Sequence, residues 1–133
     1  MGTRKNQATL SDDEKQRYVS AILQLKANGD YDRYVEWHRE LFRQGIHSTA
    51  MFLPWHRELI LRLERDLQAI DPGVDIPYWD WSVDQSQTES PWQDSFLGSN
   101  GQVPNGLVAD GPFAFTSGNF DLVITDSPGD GPG

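Results

Sequence analysis

Histidine is rare in this chain, and its three copies are evenly placed. His38, His47 and His56 lie nine residues apart, and no other histidine occurs in the 133 residues. A neutral imidazole is one of the commonest metal ligands in proteins. Three imidazoles that converge on one point would form a three-nitrogen site with an open coordination position, which suits copper, zinc or iron. Spacing alone does not choose among these metals, and a single histidine on an apolar helix face is more often an ordinary core residue.

The helix expected to carry His38 runs from about Tyr31 to Gln44 and ends at Gly45. Its apolar positions recur at helical spacing, with charged residues on the other face. His38 falls in the middle of this apolar stripe. The stripe comprises Tyr31, Tyr34, Val35, His38, Leu41 and Phe42.

The helix expected to carry His56 runs from Phe52 to about Ile70, with Pro54 tolerated in its first turn. It stops before an Asp-Pro-Gly sequence at residues 71–73. His56 opens its apolar stripe, and His47 lies in the connector between the two helices. If the helices pack as an antiparallel pair, all three imidazoles can meet.

An earlier helix is predicted from Asp12 to Ala27. Ser11 and Glu14 have the spacing of a capping box, and the pair Asn28-Gly29 ends the helix. From Ile76 onward the sequence becomes rich in aromatic residues, proline and glycine. We expect an irregular segment there, with the aromatic side chains of Trp37, Trp55, Tyr78, Trp79 and Trp81 in the core.

Composition excludes several kinds of protein. The chain has no cysteine, which rules out disulfides, thiolate metal sites and cysteine nucleophiles. All 11 basic residues occur at or before Arg65, and 11 of the 20 acidic residues follow it. This acidic half would repel nucleic acid and anionic lipid, so neither is expected as a partner. Residues 1–7 contain no apolar run typical of a secretory signal, and the cellular compartment stays open.

Two short segments narrow the choice of metal. Residues 52–57 read Phe-Leu-Pro-Trp-His-Arg, and residues 77–81 read Pro-Tyr-Trp-Asp-Trp. Together they resemble the first copper site of the tyrosinase family, which includes polyphenol oxidases and, more distantly, haemocyanins. Residues 110–114 (Asp-Gly-Pro-Phe-Ala) are similar to a stretch of bacterial tyrosinases. The resemblance extends from Tyr31 to about Phe120.

The resemblance implies a role for each histidine. His38, His47 and His56 would be the ligands of the copper called CuA, and Phe52 would form a wall of the copper pocket. Some family members link their second ligand to a cysteine, which is impossible here and indicates the bacterial branch. The implied fold is mainly α, the CuA half of a tyrosinase-like helical bundle with a long irregular segment after it. No catalytic residue is expected in this chain beyond the metal ligands.

The family binds dioxygen between two coppers, and the second, CuB, needs three more histidines. We therefore expect a second chain or a C-terminal half to supply CuB, with a phenol and dioxygen as substrates. In relatives a small helper protein can deliver the copper. The reaction would be o-hydroxylation of monophenols, oxidation of o-diphenols or o-aminophenols to quinones, or both. Four alternatives remain: a haemocyanin-type oxygen carrier, a stand-alone one-metal His₃ protein, a remnant that binds metal weakly without catalysis, and a His₃ zinc hydrolase.

The chain is expected to be one incomplete domain. It would have a helical part at about residues 10–70, an irregular part at about 71–125 with one short strand from Phe120 to Thr125, and a flexible tail at 126–133. Half of a helical bundle would leave apolar stripes facing water, and each large side chain so exposed forgoes about 1.5–3 kcal/mol.

Overall fold

The computed structural model describes residues 2–86, 90–99 and 106–120. They belong to two compact units, the first comprising residues 1–5 and 10–78 and the second residues 6–9 and 79–133. Within the described part, the regular structure consists of α-helices, one π-helix and short 3₁₀ turns, without an extended strand. The predicted mainly α fold is confirmed. The predicted strand from Phe120 to Thr125, except for Phe120 itself, and the predicted flexible tail lie outside the described residues.

Helix α1 spans Asp12–Ala27, as the sequence predicts. The Ser11 hydroxyl accepts a hydrogen bond from the Glu14 amide, and the Glu14 carboxylate accepts one from the Ser11 amide. This capping box satisfies backbone donors that the first helical turn leaves free. Hydrogen bonds from the Lys5 ammonium, which has the larger effect, and from the Ser11 amide lower the pKa of Glu14 to about 2.

Helix α2 spans Asp30–Leu41 and continues into a π-helix at Phe42–Ile46. The predicted helix from Tyr31 to Gln44 is therefore wrong at its C-terminal end. Gly45 has a φ of 90°, a left-handed value that breaks the α-helical repeat and that glycine adopts without strain. The wide turn directs the chain out of the helix just before His47.

Helix α3 spans Phe52–Ile70, the predicted range. The amide of Asp71 still donates to the carbonyl of Leu67, and the carboxylate of Asp71 pairs with Arg17 of α1. The core of the first unit lies between α1 and α3. Its most buried side chains are Ala21, Leu25 and Leu67, each no more than 1% exposed.

Two acidic side chains of α3, Asp66 and Glu64, connect the helix to the rest of the first unit. The Tyr34 hydroxyl of α2 donates to the Asp66 carboxylate at 2.5 Å. Glu64 is buried, and its carboxylate accepts two hydrogen bonds from Arg4, at 2.8 and 2.9 Å. It also accepts the Ile76 amide at 3.0 Å. Glu64 therefore connects the N-terminal segment, α3 and the segment that follows it.

The second unit is irregular, as expected for its composition. Phe96 is 1% exposed and forms part of its core, with Phe113 and Phe120 packed edge to face at 5.4 Å. The Asp110 carboxylate accepts hydrogen bonds from the amide and the hydroxyl of Ser99. The division of the chain into one incomplete domain stays a prediction.

Several large apolar side chains are exposed rather than buried. The prediction that the aromatic residues pack in the core is wrong for Trp37, Tyr78, Trp79 and Trp81, whose exposed fractions are 37%, 51%, 40% and 69%. On the helices, Val35 of α2 and Leu53 of α3 are 51% and 63% exposed. Within the described ranges, part of the apolar surface of each helix is therefore not covered.

Candidate metal centre

The three histidines occupy three different structural contexts. His38 lies in the last turns of α2, and His56 lies in the second turn of α3. His47 follows the π-helix directly and has an extended backbone, with φ −104° and ψ 149°. The two helices therefore bring one imidazole each, and the loop between them brings the third. This is the arrangement that the sequence predicts.

The nitrogen atoms of the three rings converge. One ring nitrogen from each of His38, His47 and His56 lies within 4.8 Å of the other two. The Nε2 atoms of His38 and His47 are 3.0 Å apart. Nitrogens bound to one ion at about 2.0–2.1 Å can be separated by at most about 4.2 Å. The distance between the Nε2 atoms of His38 and His47 is below this limit, and the distances among all three nitrogens are close to it. The residues therefore fit a metal ion held by three imidazoles.

The orientation of His56 is set by its own helix. Its Nδ1 lies 2.8 Å from the carbonyl oxygen of Phe52, one turn earlier. Because that oxygen can only accept, Nδ1 carries a proton, and in the neutral ring Nε2 then keeps its lone pair. Histidine ligands are commonly fixed in this way, by donating the second ring N–H to a carbonyl or carboxylate.

Aromatic rings surround the triad. The Phe52 ring centroid lies 4.4 Å from that of His56 and 5.5 Å from that of His47. Phe42 lies 4.7 Å from His47, and Trp55 lies 4.8 Å from His56. Sequence reasoning proposed Phe52 as a wall and missed the other two. Phe42 follows His38 by one helical turn and Trp55 precedes His56 directly, and this proximity in sequence was the available signal.

The electrostatic environment of His38 favours its neutral form. Burial lowers the pKa of His38 below its ordinary value, and the neighbouring imidazoles of His47 and His56 lower it further. A metal ion requires the lone pair of a neutral imidazole. The packing around His38 therefore favours the protonation state that a metal site needs.

Comparison with known proteins agrees with this geometry. The model of the common central domain of tyrosinase matches residues 28–129. The chain belongs to the tyrosinase family. The tyrosinases of Streptomyces glaucescens and Streptomyces antibioticus are 46% and 45% identical to it over 93% of the chain and 48% of their own lengths. The grixazone synthase of Streptomyces griseus is 40% identical over 97% of the chain and 45% of its own length.

The family match confirms the predicted resemblance to tyrosinases. The Streptomyces relatives confirm the predicted similarity to bacterial members of the family. Tyrosinase-family proteins depend on copper, and the histidine triad is a group of residues in this chain that could hold it. The chain spans about half the length of the Streptomyces relatives that it matches. None of the helices in the described ranges is long and apolar enough to cross a membrane.

Proposed function

We propose that this chain provides the CuA site of a type-3 copper oxidase that acts on phenols, with His38, His47 and His56 as the copper ligands. The observation that carries the proposal is the convergence of three imidazole nitrogens within 4.8 Å of one another. Family membership supports copper as the metal. The names of the relatives, tyrosinase and grixazone synthase, support phenolic substrates.

Copper bound at such a site supplies reversible one-electron chemistry, which lets dioxygen oxidise a phenol. The chain's own residues hold and orient the ligand set. The Phe52 carbonyl keeps the Nδ1 proton of His56 and leaves Nε2 free to bind. Phe42, Phe52 and Trp55 place ring faces and edges beside the imidazoles, which limits the access of water to them. Phe52 is thus proposed as a wall of the copper pocket.

A second copper requires ligands that these 133 residues do not contain, because all three of their histidines are used. We infer that another polypeptide segment, either a separate chain or a continuation of this one, supplies CuB. The exposed apolar side chains of α2, the π-helix and α3 support this inference, since Val35, Phe42, Phe52 and Leu53 are each at least 42% exposed. A covering segment would remove them from water, with a gain of about 25 cal/mol per Å² of apolar surface buried.

Anaerobic Cu(I) loading of the chain together with a CuB-bearing polypeptide, followed by dioxygen, tests this function. We expect a strong near-ultraviolet absorption band and then turnover of an o-diphenol such as catechol. The chain with His56→Ala, given the same partner, should show neither. The band without turnover would indicate a haemocyanin-type oxygen carrier. Absence of the band, with preference for zinc, would contradict the oxidase assignment and favour a one-metal His₃ protein or hydrolase.

A further inference from the structure

The loop that carries His47 is closed by one threonine. The Thr49 hydroxyl donates to the carbonyl oxygen of Gly45 at 2.5 Å and accepts the amide of Met51 at 3.2 Å. The carbonyl oxygen of Thr49 accepts the Phe52 amide at 3.1 Å. Thr49 is therefore bonded to a residue before His47 and to two residues after it. It connects the end of the π-helix with the beginning of α3.

His47 needs such support more than the other two histidines do. His38 and His56 are held by α-helical backbone, and His56 has its Nδ1 fixed as well. His47 lies outside the helices, and its hydrogen bond is made through Nε2 to His38, the atom that faces the rest of the triad. The position of the His47 ring therefore depends on the backbone of its loop.

The backbone beside His47 is in a conformation that does not persist by itself. Ser48 has a φ of 58°, a left-handed value that residues other than glycine seldom adopt. Such a conformation persists when the surrounding structure over-determines it. The hydrogen bonds of Thr49 enclose Ser48 and His47 on both sides, so they account for its persistence.

We propose that Thr49 is a positioning residue, whose hydroxyl holds His47 in place to bind the metal. This proposal rests on the proposed CuA site. It predicts that the hydroxyl, rather than the size of the side chain, determines how well the third imidazole reaches the ion. Loss of a group that orients a ligand typically weakens metal binding about 10- to 100-fold.

The test compares Cu(II) affinity among variants of the full chain, measured by competition with a chelator. Thr49→Val keeps the branched shape without the hydroxyl, and we expect it to bind copper at least about tenfold more weakly. Thr49→Ser keeps the hydroxyl and should remain close to wild type. Thr9→Val is the matched control, because the Thr9 hydroxyl also donates to a nearby backbone carbonyl, that of Asn6, but in the second unit. It should bind copper as wild type does.

A double-mutant cycle with His47→Ala separates positioning from a general loosening of the loop. If Thr49 acts through His47, Thr49→Val should cost no further affinity once the imidazole is absent. An equal cost in both backgrounds, or equal losses for Thr49→Ser and Thr49→Val, would overturn the proposal. Far-ultraviolet circular dichroism of the metal-free variants checks that α1–α3 remain folded. Failure of wild type itself to bind copper would instead overturn the proposed CuA site, so the two failures are distinguishable.

Discussion

The Nδ1 atom of His56 lies 2.8 Å from the backbone carbonyl oxygen of Phe52, and the Phe52 ring lies against the His56 ring with centroids 4.4 Å apart. One residue therefore has two separable effects on the same imidazole. The carbonyl sets the tautomer of His56, whereas the phenyl ring covers it. A side-chain substitution at Phe52 removes the cover and keeps the hydrogen bond.

Phe52→Ala should accordingly change the rates of copper exchange more than the equilibrium affinity. We expect copper uptake from solution and copper loss to a chelator to accelerate together, because the ring no longer obstructs the site. Stopped-flow measurement of both rates is the check. Phe115→Ala, at a position 39% exposed in the second unit, is the control and should leave both rates unchanged. A large fall in affinity for Phe52→Ala would instead assign its ring to ligand positioning.

Gly45→Ala should weaken copper binding through backbone strain. Gly45 has a φ of 90°, and an added Cβ would meet Thr49 at 3.6 Å, an ordinary contact. The cost, about 1–2 kcal/mol, arises from the left-handed backbone and not from a clash. Gly29→Ala is the matched control, since Gly29 has a φ of 85° with nothing within 4 Å. Urea unfolding should show similar losses for both variants, and copper titration a loss of affinity for Gly45→Ala alone. Equal copper affinity in both variants would contradict the role of this turn.

Leu67 and Leu53 lie on the same helix and should respond oppositely to the same substitution. Leu67 is 0% exposed, so Leu67→Ala should cost about 2–5 kcal/mol in free energy of unfolding. Leu53 is 63% exposed, so Leu53→Ala should change it by less than about 0.5 kcal/mol. Binding of a CuB-bearing polypeptide, measured by calorimetry, should be weaker for Leu53→Ala. Unchanged binding would place the covering segment elsewhere.

Glu64 should make the fold sensitive to acid. The hydrogen bond from Arg4 lowers the pKa of Glu64 below its ordinary value of 4.5. A carboxyl with a lowered pKa in the folded state adds stability that is present above the unfolded-state pKa and lost as pH falls through the folded-state pKa. Glu64→Gln should therefore be less stable than wild type at neutral pH, by about 1 kcal/mol, and should lose less stability below pH 4.5.

Urea unfolding monitored between neutral and acidic pH measures this difference. Glu58→Gln is the control, because Glu58 pairs with Arg62 on the surface, where both side chains are more than half exposed. Exposed pairs of this kind contribute little to stability. Parallel pH profiles for wild type and Glu64→Gln would show that the contact with Arg4 does not couple folding to protonation.

Local sequence signals determine the helices well, and α1 and α3 begin and end where the sequence predicts. Ser11 and Glu14 act within one turn, and so does the Asp-Pro-Gly sequence at residues 71–73, so their effects are readable from neighbours alone. The predicted C-terminal end of α2 is wrong because it assumes that Gly45 ends the helix. The α-helix instead ends at Leu41, and Gly45 takes a positive φ inside the π-helix that follows.

Burial was less predictable than helix position. Glu64 was missed as a buried anchor, although it stands four residues after Ile60 and three before Leu67 on the apolar stripe of α3. This helical spacing indicates that Glu64 lies on the buried face of α3. The partner of Glu64 cannot be identified in the same way, because Arg4 is distant in sequence. Tyr78 and Trp81 were expected in the core and are exposed, because an aromatic-rich sequence indicates side chains suited to burial but does not identify what covers them.

Copper binding by the intact chain tests the central claim most directly. Titration with Cu(II), together with pulsed electron paramagnetic resonance to count coordinated imidazole nitrogens, should give one copper per chain and three imidazoles. Replacing His38, His47 or His56 singly with alanine should reduce the count to two and lower the affinity. Full copper loading with unchanged coordination in any of these variants would contradict the convergence of the three side chains on one ion.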